Sequence, residues 1–528
     1  MVSIRAETNE REQNHSSFRS DLPTGAIPDA AEGRFVPHAG LPTSGASDIV
    51  MMTAVSLEDT IRSRKLSCVE VMNAYLDHIE NLNPKVNAIV ALQDRSGLLA
   101  QARERDAQLA RGESMGPLHG FPHAVKDMQP VKGSRSTSGS PILKDFVPSA
   151  DSLMVDRLRK AGAIIIGKTN TPEFGLGSHT YNPVYGATRN AYDQSRSAGG
   201  SSGGAAVALA LRMLPVADGS DYGGSLRNPA GWNNVLGLRT SYGRVPRDAR
   251  DVWLPSMSVL GPMARTVIDL AMLLSVQAGF DPRVPLAIKE DGAIFRQRLE
   301  RNFKGTRVAW AGDFRGYTPY EPEAISVCKN ALKVFESIGC VVEEAVPDYP
   351  LEAVWDAALH LRSWQQGGAL LGYYNDPSTR AMLKPEAVFE IEMGLKLSAY
   401  DITAASVIRS EWHQAVRRFF DQYDYFIAPT AQLFPFDVNL CWPQEIAGRK
   451  MTTYHEWMKA MFLITMSGCP ALAAPAGFGN QGLPIGIQIV APSHQEFACL
   501  QLAYAYELAA NWTSTHFPSL IGETATRS

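Results

Sequence analysis

A chain of 528 residues, 45 % hydrophobic and 20 % charged, can bury the core of one large α/β enzyme or of two to three ordinary domains. Its formal net charge of −4 excludes the basic footprint of a nucleic-acid binder, and no apolar run reaches the ~18 residues of a membrane span. Six cysteines with no CxxC pair exclude a disulfide scaffold or zinc ribbon and fit free thiols in a reducing compartment.

Residues 1–48 mix charge, Pro, Gly and Ser without periodicity, and are expected to form a poorly ordered extension or arm. The opening MVSIRAETNE lacks an apolar h-region and carries acids, so neither a signal nor a transit peptide is expected and the expected location is cytoplasmic. Ser56-Leu57-Glu58-Asp59 and Ser67-Cys68-Val69-Glu70 resemble capping boxes that open helices. After the second, Val69, Met72, Leu76 and Ile79 share one helical face, and Asn83-Pro84 is expected to stop the helix.

Strands are predicted at Val86–Leu92, His123–Val125, Ala163–Ile166, Arg307–Trp310, Cys340–Val342 and Ile485–Val490. Helices are predicted at Leu98–Leu109, Leu153–Ala161, Val267–Ala278 and Glu323–Ile338. This alternation is an α/β pattern around a buried sheet. Residues 300–450 are rich in Trp and Tyr and are expected to cover a site. Trp355, Trp364, Tyr373 and Trp412 are candidates for a pocket wall or for core.

Several motifs compete for the chemistry. Gly162-Ala-Ile-Ile-Ile-Gly167-Lys168-Thr169 spells a phosphate-loop pattern, but three consecutive β-branched residues favour a strand. Asn170-Thr171-Pro172 also prevents a helix from starting behind the lysine, so a core strand and exit turn is the better reading. Gly199-Gly200-Ser201-Ser202-Gly203 spells the nucleophile elbow of an α/β-hydrolase, with Ser201 as nucleophile, but a polar loop-like segment precedes it where a buried strand is required. The histidines, including His119 and His123, show no metal-ligand spacing, so no metal is expected. In Asp218-Gly-Ser-Asp-Tyr-Gly-Gly-Ser225-Leu-Arg227, two glycines before a serine allow a tight turn with free amides, as an oxyanion hole requires. From this segment alone, an ordinary glycine-rich turn is the better reading.

Together, Gly120-Phe-Pro-His-Ala-Val-Lys126-Asp127, Gly199–Gly204 and Gly223-Gly224-Ser225-Leu226-Arg227 resemble the amidase signature family. Ser201 lies 75 residues after Lys126, and Ser225 lies 24 after Ser201. The likeness continues through GKTNTPEFG (Gly167–Gly175) to Leu483–Gln488, and so covers nearly everything after the first 50 residues. It implies an α/β amidase signature fold over about 49–520, with a large mixed central sheet, helices on both faces and 300–450 as the variable pocket region.

The resemblance further implies a Ser–cis-Ser–Lys triad. Lys126 is the base, Ser201 the bridging serine on a cis peptide, and Ser225 the nucleophile. Backbone amides of Tyr222, Gly223, Gly224 and Ser225 are implied as the oxyanion hole, with Ser202, Asp221 and Arg227 as support. No cofactor is implied, the substrate is a small-molecule amide with esters or carbamates as extensions, and a homodimer is the family default. As a base, Lys126 must shed its proton. From an ordinary pKa of about 10.4, neutrality at pH 7 takes about 4.6 kcal/mol, which full burial supplies. Tyr222 departs from the smaller residues of many relatives, so the ring is expected to shape the acyl pocket. An amidotransferase A-type subunit, working in a complex, shares the same triad and is the competing function.

Overall fold

The computed structural model describes residues 48–523 apart from residue 255; the arm expected at 1–48 lies outside the described residues but for Asp48. A short helix, Asp48–Met51, opens the fold, followed by helices Ala54–Arg62 and Cys68–Val86. Of the latter two, the first starts three residues earlier than expected. Thr53, not Ser56, is its N-cap, accepting from the Ser56 amide at 3.2 Å, because the buried face already includes Ala54 ahead of Leu57 and Ile61. At the second helix the Ser67–Glu70 capping box forms, with Val71 buried and Val69 half-buried.

Pro84 does not stop this helix. It sits in the last turn, and the chain leaves the helix at Asn87 with φ 54°. Asn83 Oδ1 takes over the freed amides of Ala88 and Ile89 at 2.9 and 2.8 Å. The strand expected at Val86–Leu92 accordingly shrinks to β1, Ile89–Val90. After helix Arg95–Ala110 come β2, Pro122–Lys126, helix Leu153–Lys160 and β3, Ile164–Thr169. β2 runs parallel to β3 and β1 antiparallel to it, in a three-stranded sheet ordered β1-β3-β2. The phosphate-loop pattern is thus a buried strand, and Lys168 Nζ donates to the Gln129 carbonyl and lies 3.7 Å from Asp127.

The main sheet has eight strands. After helix Gly203–Ala210 come β4, Ala217–Asp221, β5, Leu236–Arg239, and β6, Val259–Ala264. Then β7, Arg307–Trp310, and β8, Val341–Glu344, flank helices Pro322–Asn330 and Leu332–Ser337. The single helix expected at Glu323–Ile338 is therefore two. Helices Leu351–Asn375, Pro385–Gly394 and Ala399–Phe419 lead to β9, Tyr425–Pro429. A small hairpin, β10 (Glu445–Ile446) with β11 (Arg449–Lys450), precedes β12, Ala471–Phe478, and β13, Pro484–Val490.

The strand order is β4-β6-β5-β12-β13-β9-β7-β8, antiparallel except for β9-β7 and β7-β8. Alternating side chains divide between two cores, as a doubly covered sheet requires. Tyr425 and Ile427 enter one, and Phe426 and Ala428 enter the other. Residues 300–450 thus supply three strands of the sheet as well as helices covering it. Trp355 and Trp412 are core, Trp412 donating to the Leu463 carbonyl at 2.9 Å. Trp364 packs against that core, and Tyr373 stacks on Phe174. Among the described residues no helix is long and apolar enough to cross a membrane.

The helix Gly203–Ala210 is buried along its whole length. At Gly204 a Cβ would collide with backbone atoms of Asn170 and Ala88, which no side-chain rotation relieves. Gly204→Ala is expected to cost about 1–3 kcal/mol by overpacking, read as a lowered midpoint in urea unfolding.

Candidate active site

Lys126 ends β2, a strand buried at all five positions. Its amide donates to Asp218 on β4 at 3.2 Å, and His123 Nε2 meets the other oxygen of Asp218 at 3.0 Å. Nζ lies in a cage of oxygens: Ser201 Oγ at 2.7 Å, Ser202 Oγ at 2.9 Å, Ser220 Oγ at 3.0 Å and the Ser220 carbonyl at 3.4 Å. Burial pushes the lysine down to about 7, against Asp218 and Asp221, which favour its charged form. Asp127 plays no part in this cage. Its carboxylate accepts from Thr137 and lies near Lys168, on the opposite side, as strand alternation requires.

The glycine-serine segment reaches the cage as a loop, not from a strand. The peptide Gly200–Ser201 is cis, and helix Gly203–Ala210 follows directly. The elbow reading with Ser201 as nucleophile therefore lacks its feeding strand, and the Ser201 hydroxyl is taken up by Lys126. His179 Nδ1 lies 2.7 Å from Ser197 Oγ, which in turn accepts from the Gly199 amide at 3.1 Å. The Ser202 amide donates to the Ser225 carbonyl at 3.2 Å, tying this loop to the third segment.

The Tyr222–Ser225 turn follows β4 and is braced from inside by Asp221. That carboxylate accepts from the Gly224 amide at 2.9 Å and the Leu226 amide at 3.1 Å. It pairs bidentately with Arg227 at 3.0 and 3.0 Å and with Arg239 at 3.1 Å. Burial pushes Asp221 up, but Arg227 and Arg239 outweigh it and hold the carboxyl well below its usual range. Arg227 continues outward to Gln488 at 2.7 Å and Thr465 at 2.8 Å. Gly224 has φ +106°, and a side chain there would run into Met461, so only glycine makes this turn.

Of the four amides expected in an oxyanion hole, that of Gly224 is already bonded to Asp221, which leaves Tyr222, Gly223 and Ser225. Ser225 is 7 % exposed, and among the described residues its hydroxyl has no hydrogen-bond partner. The Tyr222 ring is held edge-on to Phe462, under the Arg362 guanidinium at 5.1 Å, with its hydroxyl donating to Gln365 at 2.9 Å.

The structure thus gathers Lys126, Ser201 and Ser202 into one cage and sets the Ser225 turn beside it, with Asp221 and Arg227 behind the turn. Sequence reasoning missed Ser220, Asp218, Arg239 and the His179–Ser197 pair. Ser220 was findable, because strand alternation puts it on the face of Asp218. Arg239 carries no local signal, since its partner lies 18 residues upstream. Among the described residues no group of three or more His, Cys, Asp or Glu is placed to hold a metal ion.

The amidase family model matches residues 70–500, and the chain belongs to the amidase family. It is 33 % identical over 468 residues to an acylamidase of Rhodococcus erythropolis, covering 87 % of this chain and 96 % of that one. It is also 33 % identical to the A subunit of the glutamyl-tRNA(Gln) amidotransferase of Thermosynechococcus vestitus, covering 85 % of this chain and 96 % of that one. The crystal structure of a bacterial aryl acylamidase of the amidase signature family superposes with a TM-score of 0.83 at 27 % identity, over 91 % of this chain and 100 % of that one. The fold is the amidase signature fold, and the chain is an amidohydrolase that cleaves amide C–N bonds.

Because Asp221 neutralises two buried guanidiniums, Asp221→Asn leaves them short of an anion. We expect about 3–5 kcal/mol of lost stability, measured by urea unfolding and well above the effect of a surface Asp→Asn.

Proposed function

We propose that this amidase works through a Ser225 acyl-enzyme, with Ser201 and Lys126 as its proton relay. The carrying observation is a buried lysine with a pKa near 7, 2.7 Å from the Ser201 hydroxyl. At pH 7 about half of such a lysine is neutral, against well under 1 % of an ordinary one. Neutral Lys126 takes the proton of Ser201, and Ser201 takes that of Ser225. Ser225 Oγ attacks the amide carbonyl, and the oxyanion rests on the amides of Tyr222, Gly223 and Ser225. The relay returns the proton to the leaving nitrogen, the C–N bond breaks, and water hydrolyses the ester to free acid and Ser225. Ser202, Asp221 and Arg227 hold the cage and the turn in place.

The likeness to an acylamidase and an aryl acylamidase supports N-acyl arylamines as the first substrate series, with esters and carbamates as extensions. We read residues 49–520 as the catalytic domain, with 300–450 bearing the pocket wall. A second reading, an amidotransferase A-type subunit, rests on the equal identity to the amidotransferase relative, and it requires a partner polypeptide that co-purifies with the chain.

A fluorophosphonate is expected to label Ser225, as located by peptide mass spectrometry, and Lys126→Ala is expected to abolish labelling. A label on Ser201 would overturn the assignment, and no label on the chain alone would favour the amidotransferase reading. Lys126 has a depressed pKa and works as a base, so kcat/KM for a neutral anilide should rise with pH through a midpoint near 7 and level off above it. A flat profile from pH 5 to 9 contradicts the neutral-lysine mechanism.

A further inference from the structure

A second buried polar assembly stands against the Tyr222 ring. Glu390 is fully buried and accepts from Arg362 Nε at 2.6 Å, His455 Nε2 at 2.8 Å, Ser363 Oγ at 3.0 Å and the Tyr454 hydroxyl. Burial pushes this carboxyl up, but Arg362 and His455 outweigh it and keep it ionised. Arg362, 5 % exposed, lies over the rings of Tyr222 at 5.1 Å and Phe462 at 5.8 Å. Its Nε is spent on Glu390 and its Nη2 reaches Tyr454 at 3.2 Å. Among the described residues, Arg362 Nη1 has no acceptor.

Nη1 is not among the sealed-off polar atoms that lack a partner, so this guanidinium edge, with no acceptor among the described residues, is accessible to a bound molecule. Arg362 lies over the ring of Tyr222, in the turn that carries Ser225. Tyr222 lies three residues before Ser225, and the cation stands over the Tyr222 ring at 5.1 Å; we take that ring as one wall of the space a substrate held at Ser225 occupies. We propose that Arg362 Nη1 is a specificity determinant of this hydrolase, donating to a neutral carbonyl oxygen of the substrate away from the scissile amide. A neutral acceptor fits better than a carboxylate. The charge of Arg362 is already matched by Glu390, and a second buried anion would face only one cation. The preferred substrates are amides that carry a second carbonyl, such as diamides or oxo-acyl anilides.

This inference rests on the Ser225 reading, which fluorophosphonate labelling tests separately in every variant. The experiment compares acyl anilides carrying one ketone walked along the acyl chain, a second series carrying an acetyl group on the aniline ring, and their alkyl parents. In one series, one position should raise kcat/KM at least tenfold over the parent, mainly through KM. Arg362→Gln should erase that preference. Arg362→Lys, which keeps a cation opposite Glu390 but removes Nη1, should erase it as well and guards against a misfolded glutamine variant. The proposal is overturned by wild-type protein that shows no ketone preference, by a preference that survives in Arg362→Lys, or by a carboxylate analogue that outruns the ketone. Equal losses on ketone and parent substrates would make Arg362 a mere clamp on Tyr222, and that outcome also overturns it.

Discussion

The proposed proton relay depends on keeping one lysine uncharged within reach of two buried carboxylates. Left to Coulomb attraction alone, Asp218 and Asp221 would hold Lys126 protonated. Burial opposes them and wins, bringing the lysine to about 7. The fold makes this outcome possible by committing both carboxylates elsewhere. Asp218 accepts from His123 and from the Lys126 amide, and Asp221 is consumed by two arginines and two amides. The partners left for Nζ are hydroxyls and a carbonyl, which accommodate the amine in either protonation state.

The bracing of Asp221 also decides where the turn proposed to react stands. Arg227 joins that carboxylate to Gln488 on β13 and to Thr465 in the Lys459–Ser467 helix. The turn is thereby fixed by residues more than 230 positions later in the chain. An oxyanion hole made of amides stabilises charge only if the amides need not move during the reaction. That rigidity comes here from a buried ion network rather than from the turn itself, since two of its four residues are glycine.

What the sequence revealed follows from how far each signal travels. The strand Arg307–Trp310 and the helix Leu153–Lys160 were legible because hydrophobic patterning is local. Pro84 misled because the N–H it lacks removes one bond near the helix end, while the last turn still closes from the Asn87 amide to the Asn83 carbonyl at 2.7 Å. Lys126, Ser201 and Ser225 stood out through three glycine-rich or strand-end segments in fixed order. The histidines, by contrast, looked scattered. His123 and His455 are buried partners of Asp218 and Glu390, 95 and 65 residues away, and nothing local marks a polar residue as buried until its partner is known. The same blindness hid Arg362, whose role depends on a carboxylate 28 residues later and on the ring of Tyr222.

The support of Ser201 obeys the same rule as the cage. His179 Nε2 faces the Val438 carbonyl at 2.9 Å, so that nitrogen must carry the hydrogen and Nδ1 must accept from Ser197. Ser197 Oγ then accepts from the Gly199 amide, and every bond in the chain runs in one direction. Burial pushes His179 down to about 4, so the imidazole is neutral wherever Lys126 can act as a base. A cationic histidine could no longer accept from Ser197, and the Gly199–Ser201 loop would lose its anchor. The loop that presents Ser201 is therefore held by neutral groups, the turn that presents Ser225 by a compensated ion cluster. Neither form of support adds an uncompensated charge beside Lys126, so the attraction that burial must outweigh there comes chiefly from Asp218.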